Sequence, residues 1–193
     1  FMKMEKEYLK YLDNYEIGLG LNILEKFFWN FCDNYIEIVK HRLYRPEEFG
    51  EQPRYSGQKT IYMILYKLLQ DFSVFFPYIT EEIYQEIYHD KKSIHITEIK
   101  PFTYLFDKET INGDLMCEII SAVRGEKSSN NLSLKTIVKE LSIECSDDVK
   151  QAIESSIKDF KATLFIEKLT LQPTSDSSLY KITNINLEQE NEK

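Results

Sequence analysis

Apolar residues recur at helical spacing between Leu21 and Leu43: Leu24, Phe27/Phe28, Phe31, Tyr35, Ile38/Val39 and Leu43. The spacing predicts an amphipathic helix of about six turns, on the order of 35 Å long. It must stop by Arg45, because Pro46 disfavours helical backbone in the residue before it. A shorter helix is expected from Met2 to about Leu12, with the Gly18 and Gly20 region as the joint. Pro46 to Ser56 reads as a loop. A second long helix is expected from Gly57 to Phe76, with Ile61, Leu65, Leu68/Leu69, Phe72 and Phe75/Phe76 on one side and Pro77 as its end or kink. Thr80 followed by Glu81 and Glu82 predicts an N-capped short helix to about His89.

The stretch "SIHITEIKPF" alternates and reads as an extended connector, and Ile111, Leu115, Ile119 and Ala122/Val123 predict a helix from Glu109 to Gly125. Past the polar segment "EKSSNNLSLK" the period changes. "TIVKELSIE" and "ATLFIEKLTL" alternate as strands do, "SDDVKQAIESSIKDF" is a capped amphipathic helix, and "SSLYKITNINLE" is a candidate last strand. The expected fold class is mainly α: an antiparallel helical bundle over 1–127, followed by a small α+β subdomain, β-α-β-β, over 133–188.

Scarce Gly and Pro, 6 and 5 residues, agree with long helices, while 13 Tyr and 12 Phe supply an unusual aromatic load. The formal net charge of −8 argues against a broadly basic surface of the kind that grips phosphates. Cations nevertheless gather at Lys40 to Arg45 and, more thinly, from Arg124 to Lys139. The 3 cysteines, Cys32, Cys117 and Cys145, show neither paired nor metal-type spacing, so reduced thiols and a cytoplasmic protein are expected. No apolar run reaches the ~20 residues of a membrane span, no signal-peptide core follows the start, and a chain opening on Phe1 reads as part of something longer.

Catalytic signatures are missing. There is no phosphate-binding glycine loop, no dinucleotide fingerprint and no nucleophile elbow. His41, His89 and His95 lie apart from ligand-spaced companions, and Glu81/Glu82 and Glu47/Glu48 suit a solvated helix start or loop. Neither a catalytic residue nor a metal site is expected, and the chain reads as a binding or structural domain.

Read as a unit, "FFWNFCDNYIEIVKHRLY" resembles the helix that opens the anticodon-binding domain of class I aminoacyl-tRNA synthetases, and is closest to the valyl branch. Trp29, Phe31-Cys32-Asp33, Tyr35-Ile36-Glu37, Lys40 and Arg42-Leu43 carry the likeness, and Ile36-Glu37 and Val39-Lys40-His41 favour valyl over isoleucyl enzymes. Three further segments follow in family order: "FFPYITEEIYQ", "SIHITEIKPF" and "ISAVRGEKSSNNLSLKTIVKELSI". "IKDFKATLFIEKLTL" is similar to the ordered end of many members. The ATP-site signatures and the C-terminal coiled-coil arm of the family are absent from this chain.

The resemblance implies a valine-specific tRNA ligase in which this region binds the anticodon stem-loop. A catalytic domain outside the chain would use ATP with Mg; the fragment would need no cofactor of its own. Expected partners are a valine tRNA and that catalytic domain, not DNA or a membrane. The tRNA contacts it implies fall at Lys40, Arg42, Arg45, Arg124 and Lys127. Alternatives are the same domain of an isoleucyl, leucyl or methionyl enzyme, or a non-catalytic helical interaction module whose Arg42 and Arg45 bind an acidic partner. Lys40, Arg42 and Arg45 also fit a plain helix C-terminus, where cations favour the dipole. Trp29 and Phe31 are candidates for base stacking, yet core packing is the favoured reading, with about 3–5 kcal/mol expected for Trp29→Ala. Arg124 has two readings, phosphate contact or an acid partner within the bundle, the second favoured. Asp33 and Glu37 are expected as orienting ion-pair residues, Glu37 within reach of His41.

Overall fold

The computed structural model describes residues 1–89, 92–101, 107–174 and 179–188. The chain divides into two compact units, Phe1–Leu105 and Phe106–Lys193. The first is helical: α1 (Met2–Asp13), α2 (Ile17–Asn30), a π-helical stretch (Phe31–Ile36), α3 (Glu37–Tyr44), α4 (Pro46–Phe49), α5 (Glu51–Phe72), α6 (Pro77–Tyr88) and a 3-10 turn (Ile94–Ile96). The second carries α7 (Asp107–Ser129), β1 (Val138–Cys145), α8 (Asp147–Ser155), α9 (Ile157–Leu164), β2 (Ile166–Pro173) and β3 (Tyr180–Leu187). A mainly α chain with a small α+β part is what the periodicity led one to expect.

The long amphipathic helix is real, and it is longer than its apolar stripe. α2, the π-helical stretch and α3 run on without leaving the helical region. The expected joint at Gly18 and Gly20 lies one turn earlier, where Tyr15 takes a positive φ of 59°. Gly20 instead sits inside α2, and a Cβ there would lie 3.5 Å from Leu12 and 3.6 Å from Tyr8, so its role is the close approach of α1. Leu24, Phe31, Met4, Tyr8, Ile64 and Leu68 form the buried centre between α1, α2 and α5, with Phe27, Phe28, Tyr35 and Phe72 packed around it. Phe31 lies between Phe27 and Tyr35 in a stacked column, with centroid spacings of 6.1 and 5.3 Å.

Two expectations about prolines fail for the same reason. Pro46 to Ser56 is not a loop: Pro46 opens α4 and Pro53 is the third residue of α5. Pro77 opens α6, so Thr80 is not its cap; buried in the first turn, Thr80 donates its hydroxyl to the carbonyl of Phe76 at 2.8 Å. A helix's first residues have no intrahelical acceptor for their N–H groups, so a proline there costs no hydrogen bond. The connector after α6 is pinned rather than plainly extended. Glu81 accepts from the Ser93 hydroxyl and the Ile94 N–H, both at 2.9 Å, and these bonds hold its carboxyl below the usual range against the opposing effect of desolvation. Leu69, Tyr84 and Ile94 make a second small core there.

In the second unit, β1 is the middle strand, parallel to β2 and antiparallel to β3, in the order β2-β1-β3. The alternation in β1 slips a residue, so that Val138 and Leu141 are both buried; the slip coincides with a register shift against β3 between Val138 and Glu140. The single helix expected over "SDDVKQAIESSIKDF" is two, broken at Ser156, so the order is β-α-α-β-β. α7, expected to close the helical bundle, packs on α8 and α9 and belongs to this second unit. It also runs on through Ser129, into the segment read as a polar loop. Cys32, Cys117 and Cys145 are free, and burial pushes each thiol up, away from the reactive thiolate. Among the described residues no helix is long and apolar enough to cross a membrane.

Candidate nucleic-acid interface

The cationic end of the opening helix is built by a tight helical reversal. α3 ends at Tyr44, Arg45 leaves the helical region with φ −127° and ψ 61°, and the four residues of α4 lead to Gly50. Gly50 has φ +96°, a conformation that a side chain makes costly, and from it the chain returns along α3 as α5. The two helices meet at Gly57, where a Cβ would lie 3.0 Å from Leu43 Cδ2 and 3.5 Å from Arg42 Cδ.

Lys40, Arg42 and Arg45 are thereby gathered at one end of the first unit. Lys40 pairs with Glu37, one turn back, and Arg45 with Glu48 at 3.7 Å. Arg42 is half-buried, its stem lying along α5. Exposed aromatics accompany them: Tyr44 is 83% exposed and Tyr55, on the first turns of α5, 61%. Solvent-exposed pairs contribute only about 0–1 kcal/mol, so a phosphate can replace the carboxylate at little cost.

Arg124 and Lys127 belong to the second unit, in the last turns of α7. Arg124 is half-buried. Lys127 has no exposed surface, against the expectation that it meets a ligand. Its ammonium donates to the carbonyls of Leu134 at 3.0 Å and Leu164 at 2.9 Å and lies 5.7 Å from the centroid of the Phe165 ring. Burial, and then the Arg124 charge, push its pKa down to about 8. It is a latch between α7 and the end of α9. The sequence offered no sign of this, since an apolar enclosure for a lysine exists only once α9 has folded over it.

Trp29 reverses the other way. It is 55% exposed, with its ring edge-to-face on Phe28 and its indole N–H 3.5 Å from Glu25. The helical stripe Leu24, Phe27/Phe28, Phe31 already leaves it off the buried face. The 3–5 kcal/mol expected for its removal therefore does not hold. Trp29→Ala should cost less than about 1 kcal/mol in a urea titration, as surface substitutions do. A loss above about 2 kcal/mol would mean that the ring is part of the core.

Arg54 was missed altogether, because it lay in the segment read as a loop. It stands in the first turn of α5, paired with Glu51 at 3.7 Å. The available signal was Glu51 two residues before Pro53, an acid and a proline in the order that opens a helix.

The family described as the anticodon-binding domain of tRNA ligase matches residues 1–164. The chain is 40% identical to the valine–tRNA ligase of Rickettsia canadensis over 135 residues, 68% of this chain and 17% of that protein. It is 39% identical to that of Rickettsia felis over 151 residues, 72% of this chain and 17% of the relative. For Rickettsia prowazekii the figures are 38% over 163 residues, 78% of this chain and 20% of the relative. The chain thus spans about a fifth of the length of the curated relatives that it matches. With the whole helical unit and much of the α+β unit inside the matched range, the chain belongs to the anticodon-binding domain family of tRNA ligases.

Proposed function

We propose that the first unit grips the anticodon stem-loop of a valine tRNA as the recognition region of a valine–tRNA ligase. The observation that carries this reading is the reversal at α3–α4–α5, which sets Lys40, Arg42 and Arg45 beside exposed Tyr44 and Tyr55 on a chain that is otherwise acidic. Phosphates need only a local patch of cations, and unpaired anticodon bases stack on exposed aromatic rings. Trp29, exposed on the same long helix, is a further stacking candidate. Arg124 is kept as a separate candidate contact from the second unit.

ATP and Mg serve the ligase reaction in a catalytic domain outside this chain. The residues present do not fit that site: the family's ATP-site signatures are absent, and among the described residues no group of three or more His, Cys, Asp or Glu could hold a metal ion. The role of this region is to bind and position, with no bond made or broken in it. Free thiols agree with a reducing, cytoplasmic setting.

The test is a binding titration of this chain with a panel of tRNAs at several salt concentrations. Valine tRNA should bind best. Replacing both Arg42 and Arg45 with Glu should weaken binding and lower the log–log salt slope by up to about 0.7 to 0.9 per lost contact. Thermal stability should shift by no more than about 1 kcal/mol. Unchanged affinity with a large fall in melting temperature would show that these arginines hold the reversal together. Salt-sensitive binding to acidic proteins but not to tRNA would instead mark a protein-interaction module.

A further inference from the structure

We propose that Arg54 is a third phosphate-contacting residue at this end of the first unit, working beside Arg42 and Arg45; this rests on the reading of that end as a tRNA-binding surface. The placement follows from the glycine at the helix crossing. Gly57 touches Arg42 and Leu43, so the face of α5 that carries Gly57 is the face turned towards α3. Arg54 is one turn earlier in α5, and residues three apart share a helix face. As α5 returns along α3, Arg54 is brought level with the chain that leaves α3 after Leu43, the stretch that includes Arg45. The sequence separates Arg42 from Arg54 by the whole of α4; the hairpin removes that separation.

Arg54 also stands where the fold gains little from it. A cation in the first turn of a helix faces the positive end of the helix dipole. The compensation is loose: the nearest Arg54–Glu51 approach is 3.7 Å, with side chains 38% and 77% exposed. The buried Nε has no hydrogen-bond partner among the described residues. Arg45 is in a similar position with Glu48, also 3.7 Å away. Two guanidinium groups, each held by an exposed carboxylate at long range, form an arrangement from which a phosphate can take over. The planar fork of arginine suits two phosphate oxygens better than a lysine ammonium does. The plain alternative is a pair of ordinary surface ion pairs one helical turn apart.

The experiment compares Arg54→Gln with the unaltered chain, using valine tRNA as the probe, at salt concentrations from 50 to 200 mM and well below both melting temperatures. If Arg54 meets a phosphate, affinity falls at low salt and the log–log slope drops by up to about 0.9, so that the loss of affinity across this salt range becomes about threefold smaller. Glu51→Gln should act in the opposite direction, raising affinity by releasing Arg54, and this gain should vanish in the Arg54→Gln background. If the Arg42 and Arg45 variants lose affinity while Arg54→Gln keeps both affinity and slope, Arg54 is only a surface pair and the inference falls while the functional reading survives. If the Arg42 and Arg45 variants bind as the unaltered chain does, the reading itself falls, and this inference with it.

Discussion

Replacing Lys67 with Met should lower the unfolding free energy of the helical unit by about 3–5 kcal/mol, the range for stranding a buried charge. Lys67 and its partner Glu5 are almost wholly enclosed, with side-chain exposures of 7% and 2%, and their charged atoms are 2.6 Å apart. The ammonium also donates to the Lys100 carbonyl at 2.7 Å, so one side chain ties α1, α5 and the connector together. Met preserves the volume of the stem and removes only the charge and the donors. Glu5 would then be left buried without its cation, and Asp71, also buried, would lose the positive charge that now moderates it. A loss of this size is a large part of the roughly 5–15 kcal/mol that holds a typical domain together. Urea titration at pH 7 measures it. Adding Glu5→Gln to Lys67→Met should recover part of the loss, since part of the penalty belongs to a buried carboxylate that has lost the Lys67 charge. A neutral Lys67→Met, or strict additivity with Glu5→Gln, would show that the pair is not what secures α1.

Asp71→Asn should have the opposite sign, stabilising the unit by about 1–3 kcal/mol at pH 8 while leaving it nearly unchanged at pH 4. Asp71 is fully buried, and its carboxylate oxygens have no hydrogen-bond partner among the described residues. Burial pushes its pKa up to about 7 from 3.8, with the Lys67 charge opposing the rise and the Glu5 charge adding to it. The native state therefore holds a proton that the unfolded chain has released between those two values. The stability this group contributes is fully present below about pH 4 and is lost as the pH climbs through 7. Asparagine cannot ionise, so the difference between variant and unaltered chain should open across that interval. Unfolding measured at several pH values from 4 to 8 tests the sign. A variant less stable at both extremes would mean that the carboxylate has a partner worth more than its desolvation.

How far the fold could be read in advance depended on what kind of signal each element gave. α2 through α3, α5, α7 and all the strands announced themselves by periodicity, because each turns one apolar face to a core and 3.6 or 2 residues per repeat is the only way to do so. The prolines misled in both places because their meaning depends on position. Pro53 and Pro77 break a helix interior but suit a helix start, and only the surrounding backbone says which applies. Trp29 was misjudged for a different reason: its size argued for burial, while its place on the helix, outside the Leu24–Phe27/Phe28–Phe31 stripe, argued against it, and place won.

The sequence by itself determined the class of the protein and the run of cations from Lys40 to Arg45, since the order of apolar faces and the residues of one helix end are local properties. It also determined where that helix must stop, because the Pro46 ring acts on the residue next to it. Tertiary structure alone decided which charges reach solvent. Lys127 was expected to meet tRNA and nothing marked Lys67, yet one is closed over by α9 and the other lies between α1 and the connector. Tertiary structure alone also turned α5 back along α3, through the positive φ of Gly50 and the bare contact at Gly57. Burial and proximity are set by segments distant in the chain, and the cost of desolvating a charge depends on all of them together.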